Sequence, residues 1–117
     1  MDRVLFLVRT SPYGTASSGE AYRAIIGLGG MGIETTVILI CDGVFNAVKG
    51  QNPKKLDMHP IEKAYAALQD FDVKLLIHKE SLEQRNLSVE SVIKAEFVDT
   101  EGVDRYIEDY PCIISFS

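Results

Sequence analysis

The stretch Thr36–Pro53, TVILICDGVFNAVKGQNP, decides the fold. It begins as an apolar run that reaches Cys41, stops at Asp42-Gly43, and resumes as a short helix-like segment closed by Gly50. A short continuous apolar run bounded by a turn signal is the pattern of a fully buried strand. Such a strand, feeding a helix through Asp-Gly, leaves a carboxylate and a thiol at one edge of a sheet. In open α/β folds that edge is where ligands bind. Cys41 therefore poses the sharpest chemical question: a sulfur-handling group, or a buried filler of the second strand.

Working outward, the flanking segments repeat the alternation of strand and helix. Arg3–Val8, RVLFLV, is a first buried strand, followed by the loop Ser11-Pro12-Tyr13-Gly14-Thr15. Ser17 and Glu20 have capping-box spacing, and Ala21, Ala24, Ile25 and Leu28 line one face of the helix they open. Gly27-Leu28-Gly29-Gly30-Met31-Gly32 matches G-x-G-x-x-G literally. A dinucleotide fingerprint must follow a strand and open a helix, so that the helix N-terminus meets the pyrophosphate. Here the motif closes a helix, and glycine as a C-cap is the better account. Glu34–Cys41 is the second strand, and Gly43–Lys49 a short helix.

Pro60 opens a further helix with Ile61, Ala64, Tyr65 and Leu68 on one stripe. Val73–Ile77 is the third strand, stopped at His78-Lys79-Glu80. Ser81 is positioned to cap a turn over Leu82–Asn86, and Ser88 a second turn over Val89–Lys94. Ala95–Val98 is a short fourth strand. Asp99-Thr100 caps a helix to Asp109 with Val103, Tyr106 and Ile107 inward, and Cys112–Phe116 is the last strand. Five strands alternating with helices call for a parallel sheet covered on both faces, in one domain spanning residues 1–117.

The bulk numbers remove several function classes. A formal net charge of −5 argues against a nucleic-acid groove, which needs clustered Lys and Arg. Lys49, Lys54 and Lys55 are the nearest approach, and they read as a solvated loop. Val4–Val8 is too short for a signal-peptide core, and no apolar run approaches the ~18 residues of a membrane span. A cytoplasmic chain with no membrane contact is expected, and its two cysteines read as free thiols. There is no G-x-x-x-x-G-K-[ST] loop and no G-x-S-x-G elbow, so phosphoryl transfer and serine hydrolysis lack support. No cofactor and no metal site are expected. His59 is a lone loop histidine with no paired ligand.

The carboxyl ends of the strands gather Arg9, Ser11, Tyr13, Gly14, Cys41, Asp42, Gly43, His78 and Lys79 as pocket candidates. Cys41 is the catalytic candidate among them. A reactive thiol needs a depressed pKa, from a cation or a helix N-terminus. The helix start after Cys41 favours that, and the adjacent Asp42 opposes it. Whether His78 reaches the thiol is left open by the sequence. Cys112 reads as buried filler.

These strand ends resemble the DsrE/DsrF/TusC family of small sulfur-relay proteins, in its DsrF/TusC branch. The resemblance rests on Ser11-Pro12-Tyr13-Gly14-Thr15, Cys41-Asp42-Gly43-Val44-Phe45, Lys49-Gly50-Gln51-Asn52-Pro53, Phe71-Asp72-Val73, Glu80 to Leu87, and the closing Ser115-Phe116, in order across nearly the whole chain. It implies a three-layer α/β/α sandwich with a five-stranded parallel sheet, flavodoxin-like (DsrEFH-like). It also implies assembly with related relay subunits, or with itself as a trimer or hexamer. Such assemblies pass persulfide sulfur toward 2-thiouridine in tRNA or through dissimilatory sulfur oxidation. In the catalytic branch an acceptor cysteine lies just past the third strand, where this chain has Leu76-Ile77-His78-Lys79-Glu80 and no thiol. The resemblance thus points to a non-catalytic partner subunit. A Cys41-dependent sulfur-transfer protein and a homo-oligomeric small-molecule-binding module are the alternatives.

Overall fold

A computed structural model describes residues 3–12, 17–49 and 61–117 of the chain. Its elements run β1 (Arg3–Val8), α1 (Ser17–Gly30), β2 (Glu34–Leu39), a 3-10 segment (Cys41–Ala47), α2 (Ile61–Leu68), β3 (Lys74–His78), α3 (Lys79–Gln84), β4 (Glu96–Val98), α4 (Thr100–Asp109) and β5 (Ile113–Phe116). The strands form one five-stranded sheet ordered β4-β3-β2-β1-β5, and every pairing is parallel. Connections from β1 to β4 step steadily in one direction; the last connection returns across the sheet to the far side of β1. Right-handed crossovers then require helices on one face for the early steps and α4 on the other. The architecture is the expected α/β/α sandwich, flavodoxin-like in its layers, with the reversal of direction at the final crossover.

Side-chain alternation along the strands sorts the core into two clusters. Val4, Phe6, Val8, Val37, Leu39, Leu75 and Ile77 meet Ala21 and Ile25 of α1 and Tyr65 and Leu68 of α2. Leu5, Ile38, Leu76 and Val98 face the other way and meet Val103 of α4 and Tyr110. The first cluster is much the larger, with Phe6 and Tyr65 fully buried, and full burial of a large apolar side chain is worth about 1.5–3 kcal/mol. The smaller face is fastened by polar contacts. Tyr110 is buried with its hydroxyl bonded to that of Thr36 on β2. The Arg3 guanidinium lies 4.3 Å from the Tyr110 ring centroid and pairs with Asp109 at 2.9 Å and Glu34 at 2.8 Å.

Several boundaries differ from the sequence expectation for local reasons. β2 ends at Leu39, two residues before Cys41. Ile40 is still extended and donates its N–H to the Val8 carbonyl at 3.0 Å, but Cys41 turns to φ 55° and opens the 3-10 segment. The helix expected over Gly43–Lys49 is that 3-10 segment. It stops at Ala47, because Val48 bridges Val92, and the N–H groups of Lys49 and Ile93 bond the carbonyls of Ser91 and Ala47. The third strand starts and ends one residue later than expected, after Asp72 caps the preceding helical turn at φ 63°. His78 therefore belongs to the strand, paired with Val98. Ser81 is not a cap; it lies inside α3. Ile107 is exposed, since Val103, Tyr106 and Tyr110 set the inward stripe of the last helix. Asp99 does cap that helix, accepting from the Gly102 N–H at 2.8 Å.

The glycine cluster closes α1 with a C-cap, as its position in the sequence required. Ile33 donates to the Leu28 carbonyl and Gly32 to that of Gly29, with Gly32 at φ 80°, which is the Schellman pattern. The capping pair Ser17/Glu20, the start at Pro60, and the loop Gly50-Gln51-Asn52-Pro53 with His59 turn on side chains or residues outside those described.

Gly43 is fixed by packing. A Cβ built there would sit 1.8 Å from the carbonyl oxygen of Val8, inside any possible contact. Gly43→Ala should lower unfolding free energy by about 3 kcal/mol or more, because the core is already filled on both sides. Urea denaturation of the two proteins measures it.

Candidate functional site

The carboxyl edge of the sheet holds a closed hydrogen-bond network. Cys41 donates its backbone N–H to Ser81 Oγ at 2.8 Å. Ser81 Oγ lies 2.6 Å from His78 Nδ1, and His78 Nε2 lies 2.8 Å from Thr100 Oγ1. One proton assignment uses every polar atom: Ser81 accepts from Cys41 and donates to Nδ1, so Nε2 carries the ring proton and donates to Thr100. Glu80 completes the ring. Its Oε2 accepts the Thr100 N–H at 2.9 Å, and its Oε1 is 3.6 Å from Nε2.

The sequence builds this from short-range geometry. His78 ends β3 and Ser81 sits one turn on in α3, so a tight strand-to-helix junction brings hydroxyl and imidazole together. Both are buried. Thr100 opens α4 directly after β4, the strand beside β3. The Thr100 N–H, foremost, holds the Glu80 carboxyl below its ordinary value, and the nearby imidazole adds to this.

Cys41 is half-buried, not the buried strand residue of the sequence reading. Its backbone is left-handed at φ 55°, a conformation that costs an L-residue of this kind about 1–2 kcal/mol. The bond to Ser81 and the bond from Gly43 N–H to the Ile40 carbonyl at 2.9 Å hold it there. Asp72 and Asn86 are also left-handed, but they end helical turns. Cys41 opens one.

The other expected site residues fall into three groups. Cys41, Gly43 and His78 are brought into this corner of the sheet, Gly43 as a packing element. Asp42 is exposed and accepts from Arg85 Nε at 3.0 Å, while Arg85 also reaches the Ser81 carbonyl at 3.2 Å. Arg9 and Lys79 are exposed, and Ser11 is half-buried. Tyr13 and Gly14 lie outside the described residues. Ser81, Thr100, Glu80 and Arg85 complete the network and were not among the expected site residues. The signal for Ser81 was its spacing from His78, read instead as a cap. Asn46 was also missed; it is fully buried and donates to the Thr10 and Gly43 carbonyls, each at 2.9 Å, tying the 3-10 segment to the end of β1.

This geometry separates Cys41 from the imidazole chemically. Both ring nitrogens of His78 are taken up by hydroxyls, and its link to Cys41 ends on a backbone N–H, not on sulfur. The thiol also precedes a 3-10 segment rather than an α-helix. No α-helix N-terminus faces the thiol, and the Arg85 guanidinium goes to Asp42. Among the described residues no group of three or more His, Cys, Asp or Glu is placed to hold a metal ion.

A concavity of about 870 Å³ opens at the amino ends of the strands against α4, lined by Arg3, Thr36, Lys74, Tyr106, Asp109 and Tyr110 among others. The sequence reading had placed the pocket only at the opposite edge. Its walls are engaged with one another: Lys74 Nζ lies 5.4 Å from the Tyr106 ring centroid, and Arg3 is held by Asp109 and Glu34.

A model of the DsrE/DsrF-like family matches residues 2–116. The chain belongs to the DsrE/DsrF-like family. Among relatives, the intracellular sulfur oxidation protein DsrF of Allochromatium vinosum is 27% identical over 105 residues, covering 89% of this chain and 77% of that one. Protein TusC of Escherichia coli O8 is 27% identical over 119 residues, covering 99% and 100%. These names place the chain on the DsrF/TusC side of the DsrE/DsrF-like family. The crystal structure of the ychN protein from E. coli matches with a TM-score of 0.87 at 19% identity, over 99% of this chain and 100% of that one; that likeness establishes the shared fold. Among the described residues no helix is long and apolar enough to cross a membrane.

Two measurements check the network. Ser81→Ala leaves the Cys41 N–H and His78 Nδ1 without their partner and should cost about 2–3 kcal/mol in urea denaturation. Glu80 is easier to deprotonate folded than unfolded. Its contribution is therefore fully present above its unfolded value, near 4.5, and is lost as pH falls through the lower folded value. Glu80→Gln should remove that part of the acid sensitivity, so the stability profiles of mutant and wild type converge on acidification.

Proposed function

We propose that this chain is a subunit of a sulfur-relay assembly and contributes surface and scaffold rather than a sulfur-carrying thiol. The observation that carries this is the end of β3. The family resemblance implies an acceptor cysteine just past that strand in the catalytic branch; here the strand ends in His78, buried and bonded through both ring nitrogens. The network keeps the shape of the strand-end corner and offers no nucleophile at that point. DsrF and TusC relatives along nearly the whole chain support the relay setting, whether for sulfur oxidation or for tRNA thiolation. Related relay subunits are the natural partners, in the cytoplasm.

One observation favours a second reading. Cys41 is half-exposed at the same sheet edge, so it is accessible to a persulfide donor even without an imidazole beside it. In that reading the thiol itself accepts sulfur.

Co-expression with related sulfur-relay subunits, followed by native mass spectrometry, tests the first reading. A hetero-oligomer containing this chain is expected, and a chain that stays apart from every such subunit would sink the proposal. Loading the assembly with a cysteine desulfurase and mapping modified thiols separates the two readings. The scaffold reading expects sulfur on a partner subunit and none on Cys41, with Cys41→Ser transferring sulfur at the wild-type rate. A persulfide on Cys41, with transfer lost in Cys41→Ser, establishes the second reading instead.

A further inference from the structure

The two edges of the sheet are built differently. β4 is three residues long, and its Glu96 pairs across to Lys74 at 3.8 Å. Short length and charge are the devices that keep a sheet edge from pairing with another chain. Among the described residues, β5 has neither charge nor cover. From Pro111 to Ser117 the chain reads PCIISFS, without one ionisable side chain except the weakly acidic Cys112 thiol. Ile113 is 38% exposed, Ser115 is exposed, and Ile114 and Phe116 are only half-buried.

The ladder fixes which backbone groups this edge presents. Leu5 and Arg9 of the β1 side donate to the carbonyls of Cys112 and Phe116, each at 2.9 Å. In a parallel pair the residues facing the neighbour alternate with those facing away. Cys112, Ile114 and Phe116 thus turn their N–H and C=O groups toward β1, and Ile113 and Ser115 turn theirs outward. The side chains of Ile113 and Ser115 lie on the α4 face, beside Leu5 and Leu7 in register. α4 packs over the inner strands and leaves Leu7 half-exposed and Ile113 exposed.

We propose that β5 pairs antiparallel with β5 of a second copy of this chain, extending the sheet across a two-fold axis. With the axis at Ile114, Ile113 of each copy lies opposite Ser115 of the other. Each outward N–H then faces an outward carbonyl, which is the self-complementarity an isologous contact requires. Charge also favours this edge for self-association. Each copy carries a formal net charge of −5, so contacts through charged surface repel, while this strand brings only neutral side chains together. Pairing would cover the exposed Ile113 as well. This inference is independent of sulfur relay and is tested on the purified chain with no other subunit present.

Analytical ultracentrifugation of the wild-type chain should show a concentration-dependent dimer. Ser115→Pro removes a donor that bonds nothing in β1, at an edge where proline is tolerated, and should weaken the dimer about 30-fold or more. Ser115→Lys, which adds a charge to the edge without touching the backbone, should also give monomer. Hydrogen exchange followed by NMR needs no variant: the Ile113 and Ser115 amides should become slower as concentration rises. A wild-type chain that stays monomeric overturns the proposal. So does a dimer that survives both substitutions while the two amides exchange fast. Protection that arises only when a different relay subunit is added also overturns self-pairing, and assigns the edge to that subunit.

Discussion

The backbone of Gly43 lies against the carbonyl of Val8 with no room for a side chain. That contact sets where the chain can go after the second strand. Val8 also accepts the Ile40 N–H, so the end of β1 dictates the path of the next residues on both sides of Cys41. Held between Ile40 and Gly43, Cys41 is left with a positive φ and an N–H that points to Ser81. The position of Ser81 then fixes the imidazole of His78, and His78 fixes the start of α4 through Thr100. A single steric limit at the end of β1 is thereby passed to two further strands and two helices. The corner is held by a run of hydrogen bonds from the Cys41 N–H through Ser81 and His78 to Thr100.

The two faces of the sheet are secured by different physics. The face under α1 and α2 is apolar and deep, and its stability comes from burial. The α4 face is thinner, and polar contacts make up part of the difference: the Tyr110–Thr36 hydroxyl pair, the Arg3 contacts to Asp109 and Glu34, and the Asp99 cap. The Arg3 side chain is about a third exposed, so its ion pairs count for little in free energy. Their value is directional, since they set where the last helix ends.

Fold class was legible because it depends on patterns that sequence displays openly. Apolar runs such as RVLFLV, the stripe through Tyr65 and Leu68, and the stops at Asp42-Gly43 and Gly32 were sufficient to infer alternating strands and helices. Gly32 was read correctly as a cap because a motif's meaning depends on what precedes and follows it. The candidate site was legible only in its location. Ser81 looked like a cap because the sequence does not show that α3 starts immediately after His78, which depends on β3 pairing one residue further than its apolar run suggests. The left-handed Cys41 was hidden for a similar reason: its conformation is imposed by β1, which lies more than thirty positions earlier in the sequence. Tyr110 lies between the expected last helix and last strand, and its hydrogen bond to Thr36 spans 74 positions. The amino-end concavity was missed because Arg3, Thr36 and Lys74 mark strand starts, and the rule for open α/β sheets directs attention to strand ends.

The sheet order has a consequence for how the domain forms. β1 sits between β2 and β5, so the first strand of the domain is completed by the last. Arg3 and Asp109, which join across this seam, are 106 positions apart. Contacts so distant along the chain must overcome loop entropy before they contribute, which slows folding. Until residues 113–116 dock, the β1 edge is an open, apolar strand with α1 already able to pack on it. A nascent chain therefore passes through a stage in which β1 is a sheet edge, when capture by a chaperone or by the wrong strand competes with completion.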